Sequence, residues 1–491
     1  MKKNLLRQIT TSKYRYWFGV GALVIFGLLV AGYKFWSLPN GLSSAEIAAA
    51  TEAGHLSPLG LFKEFSDSLS HLINLPWNLL EWLSFKVFGF TEFAMRLPAL
   101  ILMLFAAGAL MLTIWKWSSK ASAAISSGFI MTTSVMFLSL ARTGTATAVA
   151  IFLISFIILL VTLLVADELA GWRKIVAQAL LCVAAALLIY TPGGLYIVGV
   201  LMIIAAVHPK SRLLFLKIKP WKLLIGVVVG LMVLAPLIVG VILRFKNNDL
   251  SLLKELLVLN HAWLWPNLQT LASAFVGVFG GWTSEIVLPM ISVVELVIII
   301  LGLAALGKDI TSARSYSVLA LLIVSLVLAA LNPDLIYLLF VPLMLAAGVG
   351  LATLMRSWYR LFPLNPYART LGLVLLGVLI IGVCWSNIGR YYVSQNYDKN
   401  VVYNYDQEFT AVRAILSERK GNAMTLVVPA DQQRFYEILT HDFDKTKVAT
   451  TADSNAKDII VLDSSGVKID GLPQQIVTSW RAQSSVLLRI Y

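Results

Sequence analysis

Charge and cysteine are scarce in this 491-residue chain. Asp, Glu, Lys and Arg make up only 13% of it, about half the share usual in soluble domains. Apolar residues make up 58% and the mean hydropathy is +0.81, so a soluble globular protein is excluded. The two cysteines, Cys182 and Cys384, each fall inside an apolar run. That placement excludes a disulfide framework and a thiolate metal site, and both read as small buried hydrophobes. There is no phosphate loop, no glycine-rich dinucleotide fingerprint and no zinc-ligand spacing. Without a convincing internal repeat or a relay of acids inside the apolar runs, an alternating-access or ion-coupled transporter is disfavoured.

What the chain has instead is membrane-length apolar sequence. A spanning helix needs about 20 predominantly apolar residues. Such runs lie near 17–36, 95–115, 121–141, 145–166, 174–190, 193–207, 222–243, 286–306, 315–331, 335–354 and 370–386. The stretch 174–207 is too long for one helix and is broken by Tyr190-Thr-Pro-Gly-Gly194, a turn signal. The expected fold is therefore a polytopic α-helical membrane protein of about eleven spans. The first span has no small-x-small cleavage site before the loop and reads as a retained helix.

Cations fix the expected orientation. Lys2, Lys3, Arg7, Lys13 and Arg15 precede the first run, and Lys116, Lys120, Arg173, Lys174, Lys210, Arg212, Lys217, Lys219, Lys222, Lys308, Arg314, Arg356, Arg360 and Arg369 follow alternate runs. Eleven spans put all of these on one side. The amino terminus is then inside and the carboxyl tail outside, in a prokaryotic plasma membrane. The net charge of +13 needs no nucleic acid; topology and anionic membrane lipid account for it.

Hydrophilic sequence concentrates in two places: a first loop, 37–94, and the chain after Asn387. We therefore divide the chain into a transmembrane portion, 1–387, and a soluble extracytoplasmic domain, 388–491. In the tail, 407–420 and 431–441 have helical periodicity, whereas 423–428, 458–462 and 485–491 read as strands. Alternating helices and strands predict a small α/β domain.

The first loop carries the sharper motifs. It reads Pro39-Asn-Gly-Leu-Ser-Ser-Ala-Glu46, then His55-Leu-Ser-Pro58, and closes with Phe88-Gly-Phe-Thr-Glu-Phe-Ala-Met-Arg-Leu-Pro98 at the entry to the second run. Leu140-Ala-Arg-Thr143 and Asn332-Pro-Asp334 add weaker echoes. This order resembles the GT-C membrane glycosyltransferases, in the protein O-mannosyltransferase and aminoarabinose-transferase branch. The resemblance implies transfer of a sugar from a polyprenyl-phosphate donor to a protein or lipid/glycan acceptor at the outer face. Two alternatives stay open: a non-catalytic relative that binds lipid-linked sugars or scaffolds an envelope complex, and a transporter of lipid-linked sugars.

Chemistry of this kind needs a carboxylate for the acceptor hydroxyl and cations for the leaving phosphate. The family's acidic pair in the first loop is reduced here to Ala45-Glu46, and no acid follows Arg142 within Thr143-Gly-Thr-Ala-Thr147. Glu46 is the candidate general base; its competing reading is a helix-start carboxylate behind Ser43 and Ser44. The substrate-binding candidates are His55, Arg96, Arg142, Arg244, Lys246 and Glu295. Each has a plainer alternative: a loop histidine for His55, bonds to loop carbonyls for Arg96, an interfacial anchor for Arg142 and solvated charge for Arg244 and Lys246. For Glu295, placed inside the 286–306 run, it is a hydrogen bond to a neighbouring helix. Trp263, Trp265 and Trp282 read as sugar-stacking rings or an aromatic belt. No residue pattern names a cofactor or a metal site, and a divalent metal requirement stays open.

Overall fold

The computed structural model describes residues 14–56, 72–166, 169, 171–209, 212, 220–257, 264–276, 281–283, 286–402, 404–419, 423–441, 443, 445–451, 458–467, 469, 472–479 and 486–491. The expectations resting on Lys2, Lys3, Arg7, Lys13, Lys210, Lys217, Lys219, Ser57, Pro58 and Trp263 lie outside them.

The helices are α1 (Tyr14–Gly32), α2 (Ser44–Gly54), α3 (Leu75–Phe88), α4 (Glu92–Ser118), α5 (Ala121–Thr133), α6 (Val135–Ala141), α7 (Thr147–Val165), α8 (Trp172–Ile189), α9 (Gly194–Val207), α10 (Pro220–Lys246), α11 (Ser251–Leu257) and α12 (Leu264–Val276). A short antiparallel ribbon, β1 (Gly281–Thr283) with β2 (Ile286–Leu288), precedes α13 (Val293–Lys308) and α14 (Ala313–Leu331). A 3-10 turn, Pro333–Leu339, leads into α15 (Phe340–Leu361), and α16 (Pro366–Tyr397) ends the apolar part.

Each of the eleven apolar runs carries a helix. Among the described residues seven helices are long and apolar enough to cross a membrane, or eight if α5 and α6, bent by 61° about Ser134, form one span. The described apolar part of α1 and all of α9 are shorter, and α13 has 16 residues. One stretch departs from expectation. The run at 286–306 is not a single helix: its first residues form β2, and α13 starts only at Val293. Ser292 and Glu295 cause this, because they form a reciprocal capping box. The Ser292 hydroxyl accepts from the Glu295 N–H, and the Glu295 carboxylate accepts from the Ser292 N–H at 2.9 Å. Glu295 thus sits in the first helical turn, not deep inside a span.

The hydrophobic core runs through α4, α5, α7, α13 and α15. Small residues permit the closest approaches: a Cβ on Gly302 or Gly350 would strike the facing backbone of α15 or α13. Several basic loop residues gather at one end. Arg356 donates to the Ser118 carbonyl at 2.9 Å, and the Lys120 and Arg369 cations lie over the Tyr359 ring. The opposite end carries α2, α3 and the tail, and is called the capped end below.

The tail comprises α17 (Glu408–Glu418), β3 (Met424–Val427), α18 (Gln433–Thr440), β4 (Thr446–Ala449), β5 (Ile459–Leu462), β6 (Gln475–Thr478) and β7 (Val486–Ile490). The five-stranded sheet has the order β4-β3-β5-β7-β6. β3 pairs in parallel with β4 and β5, while β7 pairs antiparallel with β5 and β6. β4 and β6 are the strands that periodicity did not announce; their partly exposed, polar sequences belong to sheet edges.

The tail is continuous with the first loop. Leu42 and Asp406 exchange two backbone hydrogen bonds of 2.8 Å. Gly41, at φ +98°, makes this possible, because a Cβ there would stand 2.2 Å from the Asp406 carbonyl oxygen. Leu42, Ala50, Phe90 and Met95 share one core with Phe409, Val412, Phe435 and Leu439, and the Thr410 hydroxyl donates to Glu92.

Candidate functional site

The first loop is pinned by two buried arginines. Arg96, in the second turn of α4, is fully buried. Its Nε donates to Glu46 Oε1 at 2.7 Å and its Nη2 to Glu46 Oε2 at 3.2 Å, a bidentate pair. Nη1 donates to the Pro39 carbonyl, and Nη2 donates also to the Gly41 carbonyl. Arg142, just past α6, donates to the carbonyls of Ala31, Tyr33, Lys34 and Leu38 and to the Tyr392 hydroxyl. The rings of Phe35, Tyr391 and Tyr392 surround it at 5.3–5.8 Å.

Glu46 is equally committed. Ser43 is the N-cap of α2, and its N–H donates to Glu46 Oε2 at 2.9 Å. The Gly144 N–H donates to Oε1 at 3.0 Å. With the two Arg96 bonds, the carboxylate accepts four hydrogen bonds, its full capacity. Gly144 is required there, because a Cβ would lie 2.7 Å from the Met95 carbonyl oxygen. Glu46 therefore ties three pieces of chain together: the start of α2, the start of α4 and the turn after α6. Arg142 has no donor to spare for a phosphate, Arg96 has four of its five N–H groups bonded, and Glu46 has no lone pair to spare for a proton.

Beside this clamp, α16 presents a buried polar row, Asn387, Tyr391 and Gln395, at helical spacing. Asn387 Nδ2 donates to Glu295 Oε1 at 2.7 Å, the cross-helix bond that holds Glu295 in place. The Tyr391 hydroxyl and the Gln395 amide make no hydrogen bond. On α3 the buried side chains are Trp77, Asn78, Glu81 and Ser84.

Residues 75–239 match the family described as dolichyl-phosphate-mannose-protein mannosyltransferase. The whole fold is similar to the crystal structure of ArnT from Cupriavidus metallidurans bound to undecaprenyl phosphate, at 12% identity and a TM-score of 0.55, covering 98% of each chain. The apo structure of ArnT from the same organism gives 12% identity and a TM-score of 0.51 over 96% of this chain and 98% of that one. The likeness to ArnT is one of fold. No curated protein is significantly similar to it.

The chain is a multi-pass membrane protein, and its remaining candidates sit apart from the clamp. His55 is exposed at the end of α2. Arg244 and Lys246 end α10, where Arg244 donates to Ser251 Oγ at 2.7 Å and pairs with Asp249 at 3.4 Å. Trp265 is exposed on α12. No group of three or more His, Cys, Asp or Glu that could hold a metal occurs among the described residues.

The residues that the sequence alone did not single out are Trp77, Asn78, Glu81, Tyr391 and Gln395. A signal for the α3 group was present: 77, 78, 81 and 84 share one helical face and interrupt the leucines of Leu75–Phe88. Burial pushes the Glu81 carboxyl well above the ordinary carboxylate range, Glu46 and Glu52 push it further, and the Trp77 indole pulls the other way.

Proposed function

We propose that this protein is a membrane glycosyltransferase that moves a sugar from a polyprenyl-phosphate donor to a protein or lipid/glycan acceptor at the outer face of the plasma membrane. In this reading residues 1–387 hold the carrier lipid, and residues 388–491 lie outside the cell and shape the acceptor's approach. One observation carries the proposal: the GT-C fold extends over the whole chain, with the first loop clamped across the helix ends and a buried polar layer beneath it. An isoprenoid tail needs apolar surface between helices and its phosphosugar head needs a polar site; the buried Asn387, Tyr391 and Gln395 of α16 support that reading.

In this reading Glu46, Arg96 and Arg142 position the site and make no contact with substrate. Arg244 and Lys246 supply cations for the carrier phosphate, and exposed His55 meets the acceptor. Glu295 braces α13 against α16. The test is direct. The purified chain in lipid nanodiscs is given undecaprenyl-phosphate mannose with Ser/Thr peptides and alkyl glycosides, and products are followed by mass spectrometry. Mannose on an acceptor supports the reading; donor consumed only by water, or not at all, contradicts it.

The saturation of Glu46 favours a second reading, a non-catalytic member that binds lipid-linked sugars. Undecaprenyl phosphate bound tightly by a chain that transfers nothing would select it.

A further inference from the structure

α3 is built inside out. Leu79, Leu80, Leu83, Val87 and Phe88 face outward and are exposed, whereas Trp77, Asn78, Glu81 and Ser84 face inward and are buried. A soluble helix does the reverse; an apolar outer face suits a helix lying in the membrane interface. The polar face therefore turns towards the protein interior, against α2 and α4.

Two inward donors are satisfied: Ser84 Oγ donates to the Ala94 carbonyl at 2.6 Å, and Asn78 Nδ2 donates to Glu52 Oε2 at 3.0 Å. Four atoms make no hydrogen bond of good geometry: the Trp77 indole N–H, Asn78 Oδ1 and both carboxyl oxygens of Glu81, although the indole lies close enough to Glu81 to draw its proton affinity down. Among the described residues no other buried carboxyl has both oxygens bare. Leaving a buried polar group unpaired is costly, and leaving an ionised carboxylate so costs more. A helix that holds one donor and three acceptors on a single face keeps room there for a partner with its own donors and acceptors. A hydroxyl group is such a partner.

Resting on the transferase reading above, we propose that Glu81 is the carboxylate that takes the proton from the acceptor hydroxyl, with Trp77 and Asn78 orienting that hydroxyl. The acceptor oxygen bonds to the anomeric carbon as its proton passes to Glu81. The bond from that carbon to the phosphate oxygen breaks, and its electron pair leaves with the polyprenyl phosphate. Glu81 then returns its proton to water. The groups facing Glu81 across the interface are Glu46 and Glu52 of α2. Of the charged side chains in the first turns of α4, Glu92 receives Thr410 and Arg96 is bound to Glu46. Burial beside two carboxylates raises the proton affinity of Glu81 above that of an ordinary carboxylate, the direction that strengthens a general base. In the resting protein Glu81 is screened from solvent, so α3 parts from α2 when the acceptor enters. Catalytic hydrogen bonds commonly form only in the loaded enzyme.

The test uses the full chain in nanodiscs, undecaprenyl-phosphate mannose as donor and a Ser/Thr peptide pool as acceptor. Transfer is measured from pH 5 to 9, binding of undecaprenyl phosphate separately, and thermal unfolding alongside. Glu81→Gln is expected to lower kcat by about 10²–10⁴-fold, with carrier binding unchanged and the unfolding midpoint equal or higher. Glu81→Asp is expected to keep partial activity with a displaced acid limb. Wild-type turnover in Glu81→Gln overturns the proposal and leaves the transferase reading standing. Loss of carrier binding together with turnover also overturns it, because Glu81 then supports the donor site. A wild-type chain that binds the carrier and transfers nothing overturns the transferase reading and this proposal with it.

Discussion

Replacing Glu46 with Gln separates a structural clamp from a catalytic base. In the native protein one carboxylate receives two Arg96 donors, the Ser43 N–H and the Gly144 N–H, all out of solvent. Gln presents one oxygen and one amide nitrogen, so at least one of the four donors meets another donor, and the guanidinium loses its counter-charge. Removing one partner of a buried pair costs about 3–5 kcal/mol, whereas a lone helix-start carboxylate contributes only about 0.3–1 kcal/mol. The larger value corresponds to a fall of roughly 3–5 °C in the unfolding midpoint if the chain unfolds as one unit. Intrinsic tryptophan fluorescence during heating in detergent measures it. The pair also predicts non-additivity: Arg96→Gln alone strands Glu46 and frees the Pro39 and Gly41 carbonyls, and adding Glu46→Gln to it costs less than Glu46→Gln in the wild type. A Glu46→Gln protein with the wild-type midpoint refutes the clamp. Lost transfer at full stability points back to Glu46 as the base.

Arg142→Gln is expected to loosen residues 31–38 and accelerate amide hydrogen exchange there, read by mass spectrometry; unchanged exchange would show that the carbonyls hold that turn without it. Gly41→Ala places a Cβ against the Asp406 carbonyl at an unfavourable φ and should destabilise the docked tail by about 1–3 kcal/mol, seen as faster proteolysis after residue 397. Burial and nearby Asp406 push the Glu408 carboxyl up to about 7 from an ordinary 4.5. The folded tail then holds a proton that the unfolded chain releases, so stability falls as pH rises from about 4.5 to about 7 and is level above that. The span of the effect is at most about 3 kcal/mol. Glu408→Gln should remove most of this slope in thermal unfolding of the full chain, leaving a residue from Asp406, itself raised by burial. Ser417→Cys, exposed on α17, should react with an impermeant maleimide in intact cells; reaction only after the membrane is breached would reverse the expected orientation.

The apolar runs and the Phe88–Pro98 motif made the helical architecture legible, because bilayer thickness and helix rise fix the length of apolar sequence required. The S-x-x-E signature at Ser292–Glu295 was equally present, yet the apolar run around it hid the helix start. Glu46 and Arg96 were visible as residue types, but their mutual saturation was not. Their partners lie 50 to 98 positions away, and nothing local shows that Gly144 will donate to Glu46. Arg142 was harder still, since its acceptors are backbone carbonyls some hundred residues earlier, which carry no side-chain signal. Glu81 was obscured for a different reason: the usual rule turns apolar residues inward, and α3 reverses it.

The bridge between Leu42 and Asp406 also dictates an order of events during synthesis. The two partners lie 364 positions apart (406 minus 42). At about 5–20 residues per second, the ribosome needs roughly 20–70 s to reach the second after making the first. Throughout that interval Leu42, Ala50, Phe90 and Met95 wait at the membrane surface without the tail residues that will cover them. The cap over the bundle is thus the last part of the molecule to close, and a chain interrupted anywhere in the tail displays an uncovered apolar surface to proteases.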